Sequence, residues 1–327
     1  MTEPLLSVRG LTTRFRTDRG EVTAVDDVSF DVAPGETVAI VGESGSGKSV
    51  TALSILGLIP KPPGRIAAGR ILFEGQDLLQ MSERQMQSVR GDRIAMIFQE
   101  PMNSLNPSLT IGLQVGEPVR QHRKASWPAA LEAARGLLEK VRIPDAAKRL
   151  HTWPHQYSGG MRQRAMIAMA LACQPRLIIA DEPTTALDVT VQAQILDLLK
   201  DLTRETGASL ILITHDLGVV ARYADKVVVM YGGRVIEQAP ARKLYREPSH
   251  PYTRGLLASV PRLDGRAGER LVPIEGSPPD LAALPPGCAF APRCSYAGAA
   301  CRSERPLLHN RSADHLHACL RDELSPA

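Results

Sequence analysis

The eight residues Gly42-Glu43-Ser44-Gly45-Ser46-Gly47-Lys48-Ser49 leave few options for the fold around them. They fit G-x-x-x-x-G-K-[ST], a turn whose backbone N–H groups converge on phosphate oxygens. Just before it, residues 37–41 (TVAIV) form a short β-branched apolar run that reads as a buried strand. Just after it, residues 50–57 can open a helix. Strand, glycine-rich turn and helix N-terminus together make an anion cradle, because the helix dipole favours negative charge there. Gly42, Ser44, Gly45 and Gly47 shape the turn, with Val50 following it. Lys48 is placed to reach the β- and γ-phosphates and the Ser49 hydroxyl to ligate Mg²⁺. The motif implies a nucleoside triphosphate and is silent on how its energy is used.

The 327 residues suffice for a large core, in one main domain plus a smaller one. Lys and Arg number 39 against 35 Asp and Glu, a net +4 spread along the chain, which argues against nucleic acid as a partner. No apolar run approaches the ~18–20 residues of a membrane helix. The first residues lack the basic and apolar regions of a signal peptide. The expectation is a soluble, cytoplasmic chain that borrows any membrane role from other subunits. Of the five cysteines, Cys173 stands alone while Cys288, Cys294, Cys301 and Cys319 crowd the C-terminal end. In a reducing compartment that crowding points to metal more than to disulfides.

Short alternating runs before residue 35, and another at residues 69–75, predict an antiparallel sheet ahead of the phosphate loop. Residues 110–170 read as helical, most clearly over 128–141. Beyond them, strands at 177–180, 210–214 and 227–231 alternate with a helix over 190–202, the pattern of a mainly parallel sheet covered by helices. From Pro240 onward Pro, Gly and Arg become dense and apolar periodicity weakens, so a separate appendage is expected there.

The run at 177–180 ends in Asp181-Glu182. Adjacent strand residues face opposite ways, so the two carboxylates can divide their work. Asp181 is placed to hold Mg²⁺ with Ser49, and Glu182 to act as general base on a water attacking the γ-phosphate. Between loop and carboxylates lies Gln156-Tyr157-Ser158-Gly159-Gly160-Met161-Arg162, followed by a small-residue helix. This is a second helix N-terminus with exposed N–H groups and a serine hydroxyl, hence a second anion site.

With Ser158-Gly159-Gly160 preceding that helix, the chain resembles the ABC-type ATPases. The resemblance implies the α/β P-loop NTPase fold of that family: a mixed, mainly parallel sheet core, an N-terminal antiparallel β subdomain and a helical subdomain. It implies a nucleotide-binding domain over 1–239, with the helical subdomain at about 100–172, and a C-terminal extension over 240–327. It further implies that Ser158, Gly159 and Gly160 cap the γ-phosphate bound to an opposite subunit, sandwiching ATP in a head-to-tail dimer. Gln99 matches the Q-loop glutamine, which touches Mg²⁺ or the attacking water. Asp188 matches the D-loop at the dimer interface, and His215 the switch histidine that bonds the γ-phosphate. Phe15 falls where the family stacks an aromatic ring on adenine; core packing is the competing reading, since both use an apolar face. Tyr157 and Met161 depart mildly from the usual signature without removing a group expected to touch phosphate.

The spacing leaves no room for a long coiled coil and there is no second cassette, which weighs against nucleic-acid and ribosomal ABC ATPases. The segments at 250–257 (HPYTRGLL) and 286–294 (PGCAFAPRC) resemble the C-terminal extension of dipeptide and oligopeptide importer ATPases, a pattern that nickel and glutathione importers share. This implies an ATP-hydrolysing subunit, peripheral on the cytoplasmic face of the bacterial inner membrane. Its implied partners are two integral membrane permease subunits, a second ATPase subunit (a paralogue or a second copy) and, indirectly, an extracytoplasmic substrate-binding protein. The four tail cysteines have five, six and seventeen residues between successive ones, without the close pairs of a zinc finger. The resemblance implies a 4Fe–4S cluster held by Cys288, Cys294, Cys301 and Cys319, with zinc or simply buried thiols as alternatives. His315 and His317 are candidate substitute ligands, against the plainer reading of a solvated loop. Cys173 reads as a small core residue.

Overall fold

A computed structural model describes residues 3–18, 20–185, 187–259 and 273–321. The chain forms two compact units, Met1–Leu79 with Thr214–Ala327, and Gln80–Ile213.

In the first unit, Leu6–Thr17, Gly20–Val32, Gly64–Phe73 and Gln76–Asp77 make an antiparallel sheet. Leu6–Thr17 runs between the other two long strands, with Leu6 opposite both Val32 and Phe73. Leu6, Val8 and Leu11 are fully buried, and a register shift between Val8 and Leu11 brings Leu11 inward out of strict alternation. A second run of strands begins at Thr37–Val41, parallel to Lys226–Tyr231. Arg234–Pro240 follows antiparallel, then His315–His317 and His309–Ser312. Val38 to Val41 are all buried, which explains why this stretch reads as a continuous apolar run rather than an alternating one. The strand ends where Gly42 begins, putting the phosphate loop at the carboxyl end of a parallel strand.

Residues beyond Pro240, expected to stand apart, pack into the core of this same unit. Leu244, Tyr252 and Phe290 lie with Ala39, Val41, Val227, Val229 and Tyr231. Their supports are short: Ala241–Arg246, Pro251–Ala258 and the 3-10 turn Ala291–Arg293. Ring centroids of Tyr231 and Tyr252 are 4.6 Å apart, and those of Tyr231 and Phe290 5.3 Å. Each such tilted contact is worth about 0.5–1.5 kcal/mol beyond area burial. The reading of His315 and His317 as a solvated loop is overturned, because both are buried on a strand. Antiparallel pairing sets Glu237 opposite His317 and Gln238 opposite Leu316. The fully buried Glu237 carboxylate accepts from the Ser249 and His250 amides at 2.7 and 2.8 Å, and its Oε1 lies 2.7 Å from His315 Nε2. Burial alone would raise the Glu237 pKa, but these hydrogen bonds hold it below the ordinary carboxylate value.

The second unit carries the parallel strands Ile94–Ile97, Leu177–Asp181 and Ser209–Thr214, with Leu177–Asp181 central and buried along its whole length. Helices Ile111–Arg123, Trp127–Lys140, Ala146–Arg149 and Gly159–Leu171 supply the expected helical region. Ser126 caps Trp127–Lys140, whose apolar stripe Ala130, Ala134 and Leu138 is fully buried. Val189–Thr206 is longer than expected; it starts at the Asp188 cap and ends at Gly207 in the left-handed conformation.

Candidate functional site

The phosphate loop owes its shape to two close approaches. A Cβ on Gly42 would lie 2.2 Å from the Met230 carbonyl oxygen, and one on Gly47 would lie 2.6 Å from that of Ala24. Gly47, at φ 100°, is the N-cap of the helix Lys48–Ile55. Lys48 is 5% exposed, and its ammonium donates to the Gly42 and Glu43 carbonyls at 2.8 and 2.9 Å. Those carbonyls hold the charge where a phosphate would compete for it. Ser46 is buried, and its Oγ has no hydrogen-bond partner among the described residues. Ser44 and Gly45 face solvent, and Ser49 and Val50 are half-buried. A glycine-rich loop with a buried lysine and a spare hydroxyl suits an anionic ligand.

In the second unit, Asp181 is buried at the end of its strand and Glu182 is the next residue, in a different conformation. Glu182 has φ 44°, in the left-handed region that a non-glycine residue occupies at a cost of about 1–3 kcal/mol. The turn is held by its amide donating to the Ile213 carbonyl at 2.9 Å and by the Thr185 amide donating to the Glu182 carbonyl at 3.1 Å. Its carboxylate Oε2 accepts from Gln99 Nε2 at 3.0 Å and from Thr185 Oγ1 at 2.9 Å. The structure thus brings Gln99 and Glu182 together. It also adds Thr185, which sequence reading missed; the signal was a hydroxyl three residues beyond a carboxylate at a turn. A half-buried carboxylate, oriented by two donors and strained at its backbone, can accept a proton from a positioned water.

Ser158 caps the helix Gly159–Leu171, its Oγ accepting from the Met161 amide at 3.3 Å. Ser158 and Gly159 are exposed and Gly160 half-buried, so the first turn presents its N–H groups outward. Asp188 is likewise exposed and accepts from the Val191 amide at 3.0 Å. In the first unit, His215 is exposed immediately after a strand end. Phe15 is half-exposed on its strand, with its ring against Gly64, where a Cβ would come within 2.8 Å of Cε1. That contact supports the packing reading for one face and leaves part of the ring open.

The four tail cysteines line one small pocket, together with His250, Phe290 and Tyr296. None of the four is in a disulfide among the described residues. Burial pushes the Cys288 and Cys294 thiols up, and neighbouring thiols add to the shift. Among the described residues no three His, Cys, Asp or Glu side chains are grouped to hold a metal ion, so the expected metal centre is not seen preformed. His315 is engaged with Glu237 and does not line the cavity. Cys173 is buried just after Gly159–Leu171, consistent with core packing. No helix among the described residues is long and apolar enough to cross a membrane.

Known proteins resemble this chain in sequence and fold. A family model described as ABC transporter matches residues 25–185. One for the oligopeptide/dipeptide transporter C-terminal region matches residues 236–301. A putative peptide import ATP-binding protein of Brucella melitensis biotype 1 is 55% identical, across 98% of this chain and 97% of its own length. The dipeptide transport ATP-binding protein DppD of Bacillus subtilis is 53% identical, across 98% and 96%. The oligopeptide transport ATP-binding protein OppD of the same species is 56% identical, across 90% and 82%. Among solved structures, a dimeric post-hydrolysis state of the ATP-binding cassette MJ0796 bound to ADP and Pi aligns with TM-score 0.65 at 28% identity. That alignment covers 72% of this chain and 99% of the other.

Proposed function

This chain belongs to the ABC transporter family, among its peptide-import ATP-binding proteins, and we propose that it hydrolyses ATP to power import of dipeptides or oligopeptides. The observation that carries the catalytic half of this reading is the Glu182 carboxylate, oriented by Gln99 and Thr185 on a strained turn. Glu182 is the general base that takes a proton from the attacking water. The loop 42–49 binds the triphosphate, with Lys48 exchanging its carbonyl partners for phosphate oxygens. Ser49, Gln99 and Asp181 are assigned to Mg²⁺, which neutralises phosphate charge when bound. His215 bonds the γ-phosphate, and Phe15 offers its open ring to adenine. The exposed N-terminal turn at Ser158–Gly160 and the neighbouring Asp188 face the ATP of a second ATPase subunit, so that ATP closes a head-to-tail dimer and hydrolysis reopens it.

The dimer couples to two membrane permease subunits on the cytoplasmic face of the inner membrane, which receive peptide from an extracytoplasmic binding protein. Cys288, Cys294, Cys301 and Cys319 would be the ligands of an iron–sulfur cluster, a reading supported by the one pocket that all four line. A cluster there would staple a segment whose own apolar content is thin.

One anaerobic purification of the tagged full-length chain from detergent-solubilised membranes tests both statements. Integral membrane subunits should accompany it, with ATP hydrolysis in the eluate, and iron with acid-labile sulfide should accompany the thiols. Elution without membrane subunits overturns the importer reading; elution without iron and sulfide overturns the cluster alone.

A further inference from the structure

A glutamate in a loop that must accept phosphate is an electrostatic liability, and the way Glu43 is held shows how this chain handles it. Its amide donates to Tyr252 Oη at 2.8 Å. Its carbonyl accepts from the Lys48 ammonium at 2.9 Å and the Ser46 amide at 3.2 Å. Its carboxylate takes both arms of Arg293, Nη1 to Oε2 at 2.6 Å and Nη2 to Oε1 at 3.0 Å. Amide and carboxylate are therefore fixed by residues beyond Pro240, and only the carbonyl by the loop itself.

Arg293 is built for this. Its Nε donates to the Glu275 carbonyl at 2.8 Å, and Nη1 and Nη2 reach Tyr231 Oη and the Ile274 carbonyl, each at 3.3 Å. The guanidinium carbon stands 5.9 Å from the ring centroids of both Tyr231 and Phe290. The Arg293 side chain is 6% exposed and that of Glu43 25%, so the pair is neither freely solvated nor strongly screened. Bidentate geometry fixes direction as well as distance, which lysine cannot reproduce.

We propose that Arg293 is a positioning residue for ATP: it turns the Glu43 carboxylate away from the phosphates, neutralises it, and so fixes the loop that Lys48 and Ser46 depend on. The inference rests on the reading of residues 42–49 as the ATP loop. Without Arg293 the carboxylate is an unpaired negative charge in an anion site, and loop ordering falls on the ligand. A charge-assisted contact of this kind corresponds to roughly tenfold in affinity, about 1.4 kcal/mol.

The test is Mg·ATP affinity of the full-length chain by calorimetry, in four forms. Arg293→Gln should bind roughly tenfold more weakly than the wild type, and Arg293→Lys should fall between the two. Glu43→Gln combined with Arg293→Gln should recover to within about threefold of wild type, since the liability and its remedy go together. Recovery in the double variant separates this role from mere support of the fold, which removing a second contact could not restore. Unchanged affinity in Arg293→Gln overturns the proposal, and so does a double variant no better than the single one. If Arg293→Gln does not fold, Arg293→Lys with wild-type affinity overturns it equally. A wild-type chain that binds no Mg·ATP would instead remove the ATP-loop reading itself.

Discussion

Glu182 spends backbone strain on a direction. At φ 44° its carboxylate leaves the strand line that Asp181 follows, so two adjacent acids reach different surroundings. Two donors then choose its rotamer, Gln99 from one strand end and Thr185 from its own turn. Thr185→Val keeps the side-chain volume and removes one donor. The expected result is a kcat lowered roughly five- to tenfold with KM for ATP nearly unchanged, from the loss of about 1–1.5 kcal/mol of orientation. Steady-state ATPase assays measure both; a fall in affinity with kcat intact would place Thr185 in nucleotide binding instead. Asp181, Lys48 and Ser49 were picked out as candidates because each belongs to a fixed short pattern. Thr185 was not, since its role depends on a turn geometry that the residues 182–185 do not announce.

Strands and long helices were the easiest elements to foresee. Residues 38–41 and 177–181 are buried throughout, and that leaves apolar runs in the sequence. Trp127–Lys140 kept a clean helical stripe for the same reason. The stretch after Pro240 was misread as standing apart because each of its short pieces gives the core only one or two side chains, too few to make a period. Tyr252 and Phe290 do there what a whole amphipathic helix does elsewhere. His315–His317 looked polar and solvated, yet it is buried beside Glu237 and Gln238, and the Glu237 carboxylate forms a dry network with the His315 ring and the Ser249 and His250 amides. That network ties the last strand to the start of Pro251–Ala258. Glu237→Ala would strand the Ser249 and His250 amides and the His315 ring, so unfolding stability should drop by about 3 kcal/mol or more. Urea titration reads this out directly; a change below about 1 kcal/mol would show that water or a neighbour replaces the carboxylate.

For the molecule as a whole, the phosphate loop sits in one compact unit and the Gln99–Glu182–Thr185 group in the other. The N-terminal turn at Ser158–Gly160 makes more sense facing a ligand than facing water, since Ser158 and Gly159 are exposed at a helix N-terminus. On the proposed reading, ATP binding closes a pair of such chains and hydrolysis releases it. The C-terminal residues enter this cycle through Glu43, so they belong to the motor and not only to its family label. The most direct test of the central claim is ATP turnover by Glu182→Gln, measured beside nucleotide retention in the same preparation. A general base predicts that the variant still binds Mg·ATP while turnover falls at least ~10²-fold. Turnover within a fewfold of wild type would contradict the assignment of Glu182 and the hydrolysis mechanism built on it.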